Sequence, residues 1–150
     1  MPDSTIPSNA HRPRPLIHGG AALVGIVLSL ATLPLHLVLD TRQSVDISAV
    51  VVAVIGAIYV GFALQRGSIK QIVVGSIVAA CFAGVALAGL WWNPWIIPAG
   101  YVAHGLWDAV HHWRSHDLVE IPHWYPPFCA AFDWLYAIGL SIIWLTVAPV

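Results

Sequence analysis

From Ile47 to Leu64, and again from Gln71 to Trp92, the chain carries no Asp, Glu, Lys, Arg or His. An α-helix needs about 20 mostly apolar residues to cross a bilayer, and both runs are of that order. A soluble domain carries about 25% charged residues, whereas these 150 residues hold 9%, against 59% hydrophobic. Charge is too scarce to cover a globule in water, so the bilayer is the solvent for most of this chain. That composition excludes a secreted disulfide scaffold, a disordered tail and, with a net charge of −1, a nucleic-acid binder.

The hydropathy pattern predicts an all-α, polytopic membrane helix bundle of five transmembrane helices, with 1–150 forming a single membrane domain. The spans fall at about 16–39, 47–64, 71–92, 95–113 and 128–147, after a flexible cytoplasmic tail over 1–14. Polar turns at 40–46 and 65–70 separate the first three. A Pro-containing turn rich in Trp, 91–95, leads into the fourth, and such aromatics prefer the headgroup layer. The longest link, 114–127, is expected to lie along the interface before Pro126 and Pro127 open the last helix. Under this parse Arg12, Arg14, Arg66, Lys70 and Arg114 share one side and Arg42 stands alone on the other. Cytoplasmic loops collect Lys and Arg, so the N-terminus is expected in the cytoplasm and the C-terminus outside, in the inner (plasma) membrane. Helix one is longer than a signal-peptide core and lacks a small-x-small cleavage site, so it is read as a span.

The chemistry concentrates on the fourth helix. At about 100° per residue, His104, Asp108 and His111 fall within roughly 60° of one another, and Tyr101 and His112 extend the stripe to about 100°. Polar groups on one face must point into the bundle or a cavity, since an ionised side chain deep in a span costs about 2.5–3.5 kcal/mol on insertion scales. Imidazoles beside a carboxylate are a metal-ligand inventory for Zn, Fe, Cu or Ni. Spacings of four and seven bring such donors onto one surface, as the paired His of a zincin helix do. An Asp beside a ligating His can also fix its tautomer.

Depth brings in other helices. Asp133 and Asp108 each lie about five residues from the cytoplasmic end of their helices, roughly 8 Å deep. Cys129, Asp133 and Tyr136 share a face of helix five, and His18 stands near the cytoplasmic start of helix one. His18, His104, Asp108, His111, His112 and Asp133 are therefore expected to converge as metal ligands, with Asp108 and Asp133 also the candidate catalytic carboxylates. His36 and Asp40, about 27 Å from His18 along a straight helix, are read as an interfacial hydrogen-bonded pair. His11, His116 and His123 are read as solvated. Cys81 and Cys129 differ in depth and are read as unpaired, small apolar residues. Ser76, Ala80, Gly84 and Ala88 form a small-residue stripe. Its expected use is packing within the chain, and next to that contact with a second copy or a partner membrane protein.

The sequence His104-Gly-Leu-Trp-Asp108-x-x-His111-His112, followed by Trp124-Tyr-Pro-Pro-Phe-Cys129-x-x-Phe-Asp133-Trp, resembles a family of small uncharacterised bacterial integral membrane proteins. That resemblance implies a shared multi-span fold with this stretch as its functional centre, and no particular reaction. Asp108-x-x-His111-His112 is also similar to one His-x-x-His-His box of the membrane di-iron desaturases and hydroxylases, with Asp in the first place. The mixture of His and Asp across helices is similar to that of membrane zinc hydrolases related to ceramidases. Neither likeness assigns a role to a particular residue.

Three functions fit these residues. The first is a metal-dependent membrane enzyme, using Zn for hydrolysis or Fe for oxidation of an apolar lipid or isoprenoid-like substrate. The second is a structural or interaction subunit whose buried His–Asp network fixes helix register. The third is proton or metal-ion transport through the same groups.

Overall fold

The computed structural model describes residues 16–114, 118–147 and 150, with side chains from residue 19 onward in the first stretch and not at 114. The tail expected over 1–14, His11, His116 and the side chain of His18 lie outside the described residues. The chain is all-helical: α1 (Leu16–Thr32) continues into a 3-10 turn (Leu33–Leu37), followed by α2 (Thr41–Arg66), α3 (Ile69–Trp91), α4 (Ile96–Arg114) and α5 (Tyr125–Thr146).

Helix boundaries follow local chemistry. Pro34 has no N–H and its ring opposes an α-turn, so the first span tightens to 3-10 over its last residues rather than running as α-helix to 39. The polar segment 40–46, expected as a turn, belongs mostly to α2. Asp40 Oδ1 accepts from the Gln43 N–H at 2.8 Å, and Gln43 Oε1 accepts from the Asp40 N–H at 3.2 Å. This reciprocal cap satisfies two of the donors a helix start leaves open. Ser68 and Gln71 repeat the device at the start of α3. Pro126 and Pro127 sit in the first turn of α5, where a missing N–H costs nothing.

Four segments are long and apolar enough to cross a membrane: Gly19–Leu37, Thr41–Arg66, Ile69–Trp91 and Tyr125–Thr146. The fifth helix, α4, falls short on hydropathy because of its polar stripe. It packs between α5 on one side and α2 and α3 on the other, while α1 lies against α5. Its His104, Asp108 and His111 point inward, while His112 is exposed together with the large apolar residues Val102, Leu106 and Trp113. The chain is a multi-pass helical membrane protein whose most polar helix touches three neighbours.

Close approaches rest on glycine. A Cβ at Gly25 would overlap the Phe128 carbonyl oxygen on α5, and one at Gly105 would meet the Trp134 indole. The small-residue stripe on α3 behaves differently from expectation. Ser76, Ala80 and Gly84 are exposed, Ala88 is half-buried, and nothing stands within 4 Å of a Cβ built at Gly84. The α2–α3 contact is made instead by the Tyr59 backbone over Gly75 and by the Phe82 ring over Gly56. One large ring received by a glycine on the opposite helix closes that interface, so the stripe is turned out of the bundle.

Candidate metal centre

Antiparallel crossing of α4 and α5 brings one helical turn of each into register. His104 and Asp108 come from α4, Cys129 and Asp133 from α5, and all four are buried, at 0–2% exposure. One donor atom from each lies within 4.8 Å of every other. His104 Nδ1 stands 2.7 Å from Asp133 Oδ2 and 3.2 Å from Asp108 Oδ2. Cys129 Sγ lies 3.8 Å from that nitrogen and 3.7 Å from Asp133 Oδ2. Zinc bonded to nitrogen and oxygen at ~2.0–2.1 Å and to sulfur at ~2.3 Å spaces tetrahedral donors by roughly 3.3–3.6 Å. The sulfur edges and the 3.2 Å His104–Asp108 edge are close to that spacing, while the 2.7 Å His104–Asp133 edge would widen by about 0.6 Å.

The hydrogen bonding also fits an ion. His104 Nε2 and Asp133 Oδ1 are buried with no hydrogen-bond partner, and Asp108 Oδ2 has only its 3.2 Å ion-pair contact with His104 Nδ1. A buried polar atom left unsatisfied costs about 1–3 kcal/mol, and a cation beside His104 Nδ1 would relieve the carboxylate oxygens, whereas Nε2 lies on the other side of the ring. Imidazole and thiolate beside two carboxylates suit a transition metal such as zinc or iron better than magnesium or calcium.

Aromatic side chains surround the quartet. The Tyr59 hydroxyl on α2 donates to Asp108 Oδ1, and Cys129 Sγ donates to the Tyr125 hydroxyl at 3.5 Å. Phe82 meets the His104 ring edge-on at 4.8 Å between centroids. His111 is buried beside the quartet rather than within the group of four. Its ring packs on Tyr59 and Trp107, and its Nδ1 lies 3.1 Å from the Trp107 carbonyl. His112 is exposed on the outer face of α4, and His123 is exposed in the link.

Of the residues named from sequence, His104, Asp108 and Asp133 come together. Cys129 joins them, although its burial alone had suggested an apolar role. The signal was present: Cys129 is four residues before Asp133, the same spacing that pairs His104 with Asp108. Tyr59 was hidden, because a single Tyr in an apolar helix carries no periodic signal. Both cysteines are free, as expected, with Cys81 exposed.

The expected His36–Asp40 pair does not form. A 3-10 turn stacks residues three apart rather than four, and the Asp40 carboxylate is committed to capping α2. His36 turns inward instead, its Nδ1 2.7 Å from Ser44 Oγ and its Nε2 2.5 Å from the Tyr136 hydroxyl. Trp144 Nε1 donates to the same Ser44 Oγ at 2.8 Å. Both ring nitrogens of His36 have partners, unlike Nε2 of His104. Among the described residues the bundle therefore holds two buried His-centred clusters, one with both ring nitrogens partnered and one without.

Residues 20–146 match a family described as "Family of unknown function (DUF6010)". The chain belongs to that family. No curated protein and no solved structure matches it. The match spans all five helices, so the signature-bearing α4 and α5 and the apolar α2 and α3 are parts of one family unit.

Proposed function

We propose that this DUF6010 protein is a metal-dependent integral membrane enzyme acting on an apolar, lipid- or isoprenoid-like substrate, with zinc or iron held by His104, Asp108, Cys129 and Asp133. The observation that carries this reading is the buried quartet of His, Asp and Cys donors within 4.8 Å of one another, with Asp133 Oδ1 left without a hydrogen bond. A bound ion would supply Lewis acidity toward a carbonyl or phosphoryl oxygen, or redox chemistry if it is iron. The chain's own groups supply the rest. Asp133 and Asp108 can hold or pass a proton at their unpaired oxygens, Tyr59 fixes the orientation of Asp108, and the aromatic shell excludes water. An apolar groove of about 400 Å³ runs along the same helix pair, between Val102 on α4 and Ala137, Ile138 and Ser141 on α5, which favours a substrate arriving from the bilayer.

Complete burial of all four donors favours a second reading, in which the ion only fixes helix register. Thermal unfolding after chelation separates the two. A catalytic ion leaves the bundle folded at close to its original transition, whereas a structural ion lowers it sharply.

The primary experiment is metal analysis by mass spectrometry on protein purified in mild detergent without a His-tag. About one equivalent of zinc or iron per chain is expected, lost in His104→Ala and Asp108→Ala and retained in His116→Ala and His123→Ala. Equal metal content in all of them overturns the assignment.

Two further points belong to this reading. Arg66, Lys70 and Arg114 lie at one end of the bundle and Arg42 at the other, which supports a cytoplasmic N-terminus in the inner membrane; a reporter active only outside the membrane, fused at the C-terminus, should be active. The outward stripe of Ser76, Ala80 and Gly84 would serve contact with a second copy or a partner helix, testable by oxidative cross-linking of the exposed Cys81 in membranes.

A further inference from the structure

A cavity of about 380 Å³ lies between the last turn of α2 and the 120–123 segment that leads into α5. That volume is at the lower end of the range for small-ligand sites, roughly 300–1,000 Å³. Arg66 and Glu120 both line it, with Gln65, His123 and Phe62. Among the described residues no ion pair joins Arg66 to Glu120, so one cavity presents a cation and an anion that are not in direct contact. Exposed Trp113 and Trp124 stand at this end of the bundle, and exposed Trp marks the headgroup layer of a bilayer.

We propose that this cavity binds the zwitterionic headgroup of a membrane lipid, a phosphodiester bearing an ammonium group. Arg66 matches the phosphate through paired N–H donors, with Gln65 and His123 beside it. Glu120 matches the ammonium, which the Phe62 ring and the carbonyl end of α2 also favour. A purely anionic headgroup would meet Glu120 as a like charge, and a simple cation would meet Arg66 in the same way. Only a ligand carrying both signs uses both walls.

The site shares no residue with the quartet and stands whether or not a metal is bound there. It is nevertheless close to it. Phe62 packs on Tyr125 at 5.0 Å between ring centroids, and the Tyr125 hydroxyl accepts from Cys129. A lipid held in the cavity therefore lies about one aromatic layer from the candidate metal ligands.

The test uses the purified full chain in detergent, with intrinsic Trp fluorescence as the readout. The probes are dihexanoyl phosphatidylcholine below its micelle concentration, dihexanoyl phosphatidylglycerol and inorganic phosphate. Saturable phosphatidylcholine binding is expected, weakened about tenfold or more by Arg66→Gln and by Glu120→Gln. Glu120→Gln should in addition raise phosphatidylglycerol binding toward that of phosphatidylcholine. Both residues are exposed, so these variants should keep the wild-type elution profile and metal content. Equal binding of the two lipids by the wild type, unchanged binding in both variants, or full competition by phosphate would each overturn the proposal. A metal-free wild type that still discriminates the lipids would sink the metal reading and leave this one standing.

Discussion

His104 Nδ1 lies 2.7 Å from Asp133 Oδ2 across the α4–α5 contact, with both side chains completely buried. Two lone pairs cannot face each other at that distance in a dry interior, so a proton or a metal cation must stand between them. The same nitrogen is 3.2 Å from Asp108 Oδ2. A single proton shared with Asp133 Oδ2 leaves Asp108 with its bond from Tyr59 at Oδ1 alone, and leaves Asp133 Oδ1 without a hydrogen bond. A divalent ion can serve both carboxylates and the neighbouring thiolate at once.

Asp133→Asn separates these cases because it keeps the shape and removes the charge. Metal retained through purification should fall to background in Asp133→Asn and stay at the wild-type level in His112→Ala, whose side chain is exposed. Mass-spectrometric metal analysis reads the difference, and a matching elution profile in detergent shows that both variants fold. Undiminished metal in Asp133→Asn would mean that the pair is held by a proton alone.

Tyr59 would contribute to a metal site without touching an ion. Its hydroxyl donates to Asp108 Oδ1 and leaves Oδ2 facing His104. Groups that orient a ligating side chain typically change metal affinity by about 10–100-fold. Tyr59→Phe should therefore bind metal with wild-type stoichiometry at saturation but lose it to a competing chelator at lower chelator concentration. Identical competition curves would reduce Tyr59 to a packing residue.

Much of this arrangement is legible in the sequence, and the parts that are not have identifiable causes. Helix number and the inward polar face of α4 follow from apolar run length and a 3.6-residue period, since both are local properties. Asp133 could be placed beside Asp108 because antiparallel neighbours joined at one end bring equal depths together. His36 was misplaced because the period changes at Pro34: a four-residue spacing means a shared face only where the helix is α. The stripe on α3 was misplaced for a different reason. Small residues permit close approach, but the partner helix decides whether it happens, and here Gly56 accepts the Phe82 ring on another face. Cys129 shows that residue type misleads where spacing does not. A Cys in an apolar helix resembles a core residue until the Asp one turn away is counted with it.

The saturated cluster around His36 makes an independent prediction. His36 joins the 3-10 turn to α2 through Ser44 and to α5 through Tyr136, one turn along α5 from Asp133 and with no hydrogen bond to the quartet. Tyr136→Phe leaves one His36 nitrogen without its partner, at a cost of about 1–3 kcal/mol. Thermal unfolding in detergent should shift downward while metal content stays at the wild-type level. Loss of metal together with stability would show that the two clusters act as one.

Packing of α1 is the last point at which sequence, contact and stability can be tied together. At Gly25 the α1 backbone approaches α5 so closely that a Cβ would overlap the Phe128 carbonyl oxygen. Backbone cannot swing aside as a side chain can, so Gly25→Ala must push the two helices apart. Overpacking of this kind costs about 1–3 kcal/mol, and it acts on the backbone of Phe128 and Phe132, the residues just before Cys129 and Asp133. Gly84→Ala is the control, because a Cβ there has nothing within 4 Å. In thermal unfolding, Gly25→Ala should be clearly destabilised, and Gly84→Ala should be unchanged or slightly stabilised, since Ala is the better helix former. If the displacement reaches α5, Gly25→Ala should also bind metal more weakly, which chelator competition on the same samples will show. Equal stability of the two variants would mean that α1 does not dock on α5 through this contact.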